Sequence, residues 1–168
     1  FGDWRDEVRS AREGMAVFDQ SHRDRLALSG TEIAPFLNRL LTYSVTDVAV
    51  GDGCRPFMLD ARGRIILSFA YLCVAEDQVL VEAFTGHGEA VMTRIDMFHF
   101  GEDFAMEDIT GTSGILSLCG PTAEDTLKAL GLPTPQATWS HEAGHLDEYA
   151  VRVVRSGHLR RACFDIWA

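Results

Sequence analysis

Two segments of this chain align with each other without a gap, and they constrain the fold more than any other feature. The first, LALSGTEIAPFLNRL, lies within residues 24–41, and the second, LSLCGPTAEDTLKAL, lies within residues 114–131. Each reads as a strand that ends at a glycine, Gly30 or Gly120, followed by an amphipathic helix that returns over the sheet. These two repeat units and the strands between them predict an α+β fold, with helices packed on mainly antiparallel sheets. The same succession is common between unrelated elements, and the sequence alone leaves that alternative open.

The remaining segments are short apolar runs separated by turn residues. The repeat units predict helices at 31–41, with Thr31 as N-cap, and at 121–130, with Pro121 in the first position. Two more helices are predicted at 5–15 and 89–100. Strands are predicted at 24–30, 54–60, 63–75, 78–84, 104–109, 114–120, 148–156 and 163–168, with a hairpin turn at 60–63.

Charge and hydropathy exclude two classes of partner. The net charge of -10 argues against a nucleic-acid-binding protein, because an acidic surface repels the phosphate backbone. Apolar runs stay well short of the ~20 residues of a membrane span. The basic residues cluster only near the C-terminus, an arrangement that suits a small anionic ligand. That cluster consists of Arg152, Arg155, Arg160 and Arg161.

The four cysteines are far apart in the sequence, and each lies in or beside an apolar stretch. They are Cys54, Cys73, Cys119 and Cys163. Free cysteine commonly behaves as a small buried hydrophobe. With no C-x-x-C motif and no signal peptide in view, we expect four reduced thiols in a cytoplasmic protein.

Residues 141–145 spell H-E-x-x-H, which on a helix would place two zinc-ligand histidines beside a glutamate base. Gly144 disfavours a helix by about 1 kcal/mol relative to alanine. Val151 and Val153 further on alternate as in a strand, and the distant third ligand of a zinc protease is not recognisable. We therefore expect a solvated loop or a short helix here, and no metal site.

A family resemblance runs through most of the chain. REGMAVFDQSHRDRLALSG at 12–30 and FLNRLLTYSV at 36–45 contain an arginine, F-D-x-S-H, a strand ending in glycine and F-L-x-x-L-L-T. This resembles the start of the glycine-cleavage T-protein family, the aminomethyltransferases. Three later blocks are similar in the same order: LDARGRIILSFAYL, GILSLCGPTAEDTL and VRVVRSGHLRRACFDIWA. The chain is identified as a member of this superfamily, which includes YgfZ-type folate-binding proteins.

The resemblance implies a partial folate-binding domain over residues 1–168, without the family's C-terminal barrel. It also implies tetrahydrofolate as cofactor, a small one-carbon donor and, in glycine cleavage, a carrier-protein partner. Asp165 stands where the family has its pterin-reading glutamate. One carboxylate can accept the adjacent amino and ring N–H groups of a pterin in a bidentate manner. The alternative for Asp165 is a surface carboxylate on a strand.

Several positions depart from the family pattern. The family's Asp-Asp pair, which includes its catalytic aspartate, falls on Leu67 and Ser68, neither of which ionises near neutral pH. The tyrosine before the hairpin falls on Arg55, the asparagine after it on Glu82, and the Y-T-G-E segment begins at His158. No catalytic residue is assigned from these positions. The residues expected to bind the cofactor are Asp165, Glu82, Arg55, Ser68 and His158.

Three functions remain open from the sequence. The first is a folate-dependent transferase that moves a one-carbon group from a methylated amine, ether or sulfonium compound to tetrahydrofolate. The second is a non-catalytic folate-binding accessory protein of the YgfZ type, linked to the maintenance of iron–sulfur enzymes. The third is a true glycine-cleavage T-protein, whose activity we expect to be absent or poor because the acid pair is missing.

Overall fold

The computed structural model describes residues 2–158 and 162–168. The chain divides into two compact units, one formed by residues 1–21 and 113–168 and the other by residues 22–112. We call them the terminal unit and the inserted unit. Among the described residues, every helix is too short or too polar to span a membrane.

The inserted unit is an antiparallel sheet with its helices packed on one face. Its elements are β2 (Asp24–Ser29), α2 (Ile33–Asn38), a 3-10 turn (Val45–Asp47), β3 (Gly53–Cys54), β4 (Phe57–Leu59), β5 (Ile65–Ala75), β6 (Gln78–Ala83), α3 (Gly88–Asp96) and β7 (Ala105–Asp108). The strands pair in the order β3-β5-β6-β2-β7, and β4 also pairs with β5. Alternate strand residues form the core with α2 and α3, among them Leu26, Leu28, Phe69, Tyr71 and Val81.

The terminal unit is built in the same way from the two ends of the chain. Its elements are α1 (Trp4–Glu13), β1 (Ala16–Asp19), β8 (Ile115–Cys119), α4 (Ala123–Ala129), β9 (His141–Leu146), β10 (Tyr149–Arg155) and β11 (Cys163–Trp167). All strand pairs are antiparallel, in the order β1-β8-β11-β10-β9. Leu118, Val153 and Phe164 form the core with Ala123 and Leu127 of α4. The α+β prediction with antiparallel sheets is confirmed in both units.

Gly30 and Gly120 end β2 and β8 in the same backbone conformation, each with a φ of 144°. This lies in the region that favours glycine. A Cβ atom on Gly30 would meet the backbone oxygen of Asp103, and one on Gly120 would meet the backbone oxygen of Gly14. The two aligned segments thus turn from strand to helix in the same way, at points where a neighbouring backbone leaves no room for a side chain.

The predicted helix starts were wrong in both repeat units. Helix α2 begins at Ile33 after Glu32 rather than after Thr31, and α4 begins after Thr122, so that Pro121 precedes the helix. Pro35 lies in the first turn of α2, where its missing N–H would have had no intrahelical partner. The stretch expected to be a loop or short helix near residue 141 is strand β9, which pairs with β10.

The prediction of four reduced thiols is wrong for one pair. Cys119 and Cys163 face each other on β8 and β11, with Cα atoms 4.1 Å apart, and the structure joins them in a disulfide. Cys54 and Cys73 are free and buried. Because 44 positions separate the joined residues, their contact depends on strand register, which the sequence does not display.

We expect thiol titration of the unfolded, unreduced protein to find two thiols, and four after reduction. Cys119→Ser should give three in either condition, because it releases Cys163. Burial raises the pKa of the Cys54 thiol to about 12, so that its reaction in the folded protein should be slow. Four reactive thiols in the unfolded protein without reductant would contradict the pairing.

Candidate functional site

The face of the inserted unit's sheet opposite its helices carries charged and polar side chains among apolar ones, and we call it the polar face. Successive side chains of a strand point to opposite faces. Leu26 and Leu28 of β2 enter the core, so Arg25 lies on the other face, where it pairs in register with Glu82 of β6. Glu82 in turn pairs with Ala70 of β5. Charged residues therefore occupy the middle of a sheet that is apolar on its helix side.

Glu82 and Arg25 are held in this face by hydrogen bonds and an ion pair. The Glu82 carboxylate is only 2% exposed and pairs with the guanidinium of Arg23. Arg25 is fully buried and donates to the backbone oxygens of Arg23 (2.8 Å) and Thr110 (2.6 Å). Buried charges require such partners because desolvation is costly, so these contacts fix the side chains in place.

Arg55 and Phe84 lie next to this charged group. The Arg55 guanidinium carbon is 4.9 Å from the centre of the Phe84 ring, and that of Arg23 is 5.4 Å from it. Burial lowers the pKa of Arg55, the negative charge of Glu82 raises it, and the positive charge of Arg23 lowers it. Arg55 and Glu82, both expected as binding residues, therefore lie within electrostatic reach of each other.

Leu67 and Ser68, the two positions of the family's acid pair, face opposite sides of β5. Leu67 is 9% exposed and belongs to the core on the helix side. Ser68 pairs with Phe57 of β4. Side-chain alternation places Ser68 on the same face as Glu82 and Phe84. Only Ser68 of the two can therefore present a group to the polar face.

The terminal unit also carries a buried carboxylate on the face opposite its helix. Asp165 of β11 is 3% exposed and accepts a hydrogen bond from the Ser117 hydroxyl at 2.5 Å. Its neighbours Phe164 and Ile166 enter the core with α4. Ser117 pairs in register with both Asp165 and Phe18, so the Phe18 ring lies on the same face, two strands from Asp165. Asp165 is thus a positioned, buried acid rather than a surface carboxylate.

His158 follows β10 and packs edge-on against Trp139, with ring centres 5.2 Å apart. Its backbone N–H donates to the Ser156 hydroxyl at 3.4 Å. The next three residues of the expected segment, Leu159, Arg160 and Arg161, lie outside the described residues.

The H-E-x-x-H segment forms β9 and cannot bind zinc as a helical motif would. Four residues along a strand span roughly 13 Å, whereas one zinc ion requires its ligand nitrogens about 2 Å from the metal. His141 is buried, and its Nδ1 accepts a hydrogen bond from Arg152 at 2.8 Å. His145 is exposed. Arg152, expected in a cluster for a small anion, thus bonds to a histidine of the same sheet.

The structure therefore places Arg55, Glu82 and Ser68 on one face of the inserted unit, and Asp165 on one face of the terminal unit. Sequence reasoning missed the neighbours that hold them, chiefly Arg23, Phe84 and Ser117. One signal was present, because Arg23 and Arg25 are two residues apart, and a strand through them would place both on the face opposite Leu26 and Leu28.

Known proteins with similar sequences identify the family of this chain. The sequence matches the GCVT N-terminal domain family over residues 1–167. The chain belongs to this family. Among curated proteins, this GCVT N-terminal domain is 26% identical over 165 residues to an aminomethyltransferase of Parafrankia, covering 96% of the chain and 45% of that protein. It is also 27% identical over 128 residues to sarcosine oxidase subunit alpha of Corynebacterium, covering 74% of the chain and 13% of that protein.

Solved structures share the fold of this GCVT N-terminal domain. The glycine cleavage system aminomethyltransferase T from Bartonella henselae superposes with a TM-score of 0.83 at 22% identity, covering 96% of this chain and 44% of that chain. The heterotetrameric sarcosine oxidase from Corynebacterium superposes with a TM-score of 0.66 at 17% identity, covering 92% and 75% of the respective chains. The chain spans less than half the length of the first aminomethyltransferase it matches.

Proposed function

We propose that this aminomethyltransferase-like domain binds tetrahydrofolate and serves the transfer of a one-carbon group from a small donor to it. The observation that carries the proposal is the buried carboxylate of Asp165, positioned by Ser117. When bound, tetrahydrofolate would supply the nitrogen that accepts the one-carbon group. The names of the related aminomethyltransferases support this family of reactions.

The terminal unit offers a carboxylate that can accept hydrogen bonds from the N–H edge of a pterin. A carboxylate can accept two parallel N–H bonds from a flat ring edge, and bonds to a charged acceptor are stronger than neutral ones. The Ser117 bond fixes the orientation of Asp165, so less rotational freedom is lost when a ligand binds. Phe18, half-exposed on β1 and two strands from Asp165 on the same face, would supply the apolar contact that a heteroaromatic ring requires.

At the positions of the family's acid pair, the inserted unit has no ionisable side chain. We therefore expect it to orient and desolvate the reactants rather than to act as an acid or a base. Leu67 lies in the core, and Ser68 has a neutral hydroxyl. Bringing reactants together in a fixed geometry can account for a large part of a rate enhancement. Such a site suits a one-carbon donor that already carries a positive charge, or one whose reaction needs no charge. Glycine cleavage itself is the second candidate, because the related proteins include an aminomethyltransferase of that system.

The test is tetrahydrofolate affinity by titration calorimetry in the wild type, Asp165→Asn and Asp165→Ala. Loss of one charge-assisted hydrogen bond should weaken binding about tenfold to a hundredfold. Asp125→Ala, at an exposed position of α4, is the matched control and should bind like the wild type. Equal affinities for tetrahydrofolate in the wild type and both Asp165 variants would contradict the proposal.

A further inference from the structure

Two guanidinium groups of the inserted unit converge on one aromatic ring. Arg55 and Arg23 both lie within 5.4 Å of the Phe84 ring centre, measured from their guanidinium carbons. Phe84 itself is 46% exposed. An accessible ring flanked by two cations can contact the carbon skeleton of a small ligand while the cations hold its anionic group.

We propose that Arg55, Arg23 and Phe84 form a subsite for the carboxylate of the one-carbon donor. The inference rests on the proposed function and specifies its substrate class: small methylated amines, ethers or sulfonium compounds that carry a carboxylate. Arg55 is the specificity-determining residue of this subsite, because the guanidinium of Arg23 is already engaged in an ion pair with Glu82.

The other charged groups of this face have structural roles. Arg25 is fully buried and donates to two backbone oxygens, which accounts for its position without a ligand. Glu82 pairs with Arg23 and holds that guanidinium beside the ring. The charges of this pair offset each other, and Arg55 adds a further guanidinium next to the pair.

A carboxylate matches this geometry better than a neutral polar group. The guanidinium presents N–H donors in a planar fork that fits the two oxygens of a carboxylate. Partial burial makes such a bond stronger than it would be in water. An amide of the same shape cannot offer two charged acceptor oxygens, so the subsite should distinguish a carboxylate from its amide.

The experiment offers the intact protein three matched pairs of methyl donors in the absence of tetrahydrofolate, so that no methyl group is transferred during the titration. The pairs are N,N-dimethylglycine, methoxyacetate and dimethylsulfonioacetate, each as the free carboxylate and as the primary amide. Affinities are measured by calorimetry for the wild type, Arg55→Met, Arg55→Lys and the control Arg62→Met. Arg62 is an exposed arginine of the turn between β4 and β5, so its replacement repeats the chemical change away from Phe84.

For at least one pair, we expect the carboxylate to bind tenfold or more tightly than the amide in the wild type and in Arg62→Met. Arg55→Met should abolish this preference, and Arg55→Lys should retain only part of it because the fork is lost. Equal affinity within all three pairs, absence of binding by all six compounds, or a preference that survives Arg55→Met would overturn the assignment.

A carboxylate could also come from the glutamate tail of the folate, and a second arm distinguishes this source. Tetrahydrofolate and the primary amide of tetrahydropteroate, which lacks the tail and its carboxylates, are titrated against the same variants. If Arg55→Met weakens only tetrahydrofolate binding and leaves the donor preference unchanged, the subsite belongs to the tail and the donor assignment is wrong. If donor carboxylates are preferred but neither folate compound binds, the subsite stands and the proposed function fails.

Discussion

Leu67→Asp is expected to lower the free energy of unfolding by about 4 kcal/mol or more, whereas Ser68→Asp should change it by about 1 kcal/mol or less. The two residues are adjacent on β5, but Leu67 packs in the core against the helices and Ser68 lies on the polar face. Removing a buried leucine leaves a cavity, and the new carboxylate must also be desolvated or protonated. Ser68→Asp removes no buried apolar group, and its half-buried position leaves the new carboxylate partly in water.

Urea denaturation of the wild type, Leu67→Asp, Leu67→Ala and Ser68→Asp measures this difference. Leu67→Ala separates the cost of the cavity from the cost of the charge. Similar stabilities of Leu67→Asp and Ser68→Asp would mean that β5 does not alternate as described.

In an assay of ammonia release from an aminomethylated carrier protein, we expect little turnover by the wild type and a partial gain in Ser68→Asp alone. Wild-type turnover equal to that of an ordinary glycine-cleavage T-protein would refute the argument from the missing acids.

Arg23→Met is expected to lower the free energy of unfolding by about 3 kcal/mol or more, because it removes the guanidinium that forms an ion pair with the buried Glu82 carboxylate. The double variant Arg23→Met, Glu82→Leu should recover most of that loss, since an apolar pair of similar volume needs no compensation in a buried site. The measurement is again urea denaturation, analysed as a double-mutant cycle.

Arg39→Met is the matched control for this cycle. Arg39 also pairs with a glutamate, Glu102, but its side chain is 61% exposed. Exposed ion pairs contribute little to stability, so this variant should unfold close to the wild type. A double variant less stable than Arg23→Met would show that Glu82 is held by groups other than Arg23.

The sequence predicted features that depend on local patterns. Gly30 and Gly120 mark a strand that ends in a tight turn before an amphipathic helix, and both turns are present. Strand β9 escaped prediction because HEAGHL has no apolar alternation and is stabilised by pairing with β10. The helix starts were displaced because Thr31 resembled an N-cap, yet the helix begins later, without a side-chain cap.

The candidate site was only partly predictable, because strand pairing decides which residues meet. Glu82 and Arg55 were singled out because they depart from the family pattern. Phe84 follows Glu82 by two residues on the same side of the chain, but Arg23 and Arg55 reach these residues only through the pairing of separate strands. The disulfide between Cys119 and Cys163 likewise depends on strand register. Periodicity shows which face a residue takes, but it does not show which residue lies across from it.

The division of the chain also has a consequence for the order of folding during synthesis. The inserted unit is continuous, from residue 22 to residue 112, so all of its strands are synthesised before residues 113–168. Strand β1 is made early, but its partner β8 is made only after the whole inserted unit. Strand β1 therefore has no partner strand until β8 is synthesised, and unpaired strands are prone to wrong pairing. A polypeptide that ends at residue 112, once released from the ribosome, should hold a folded inserted unit with its N-terminal segment still open to protease.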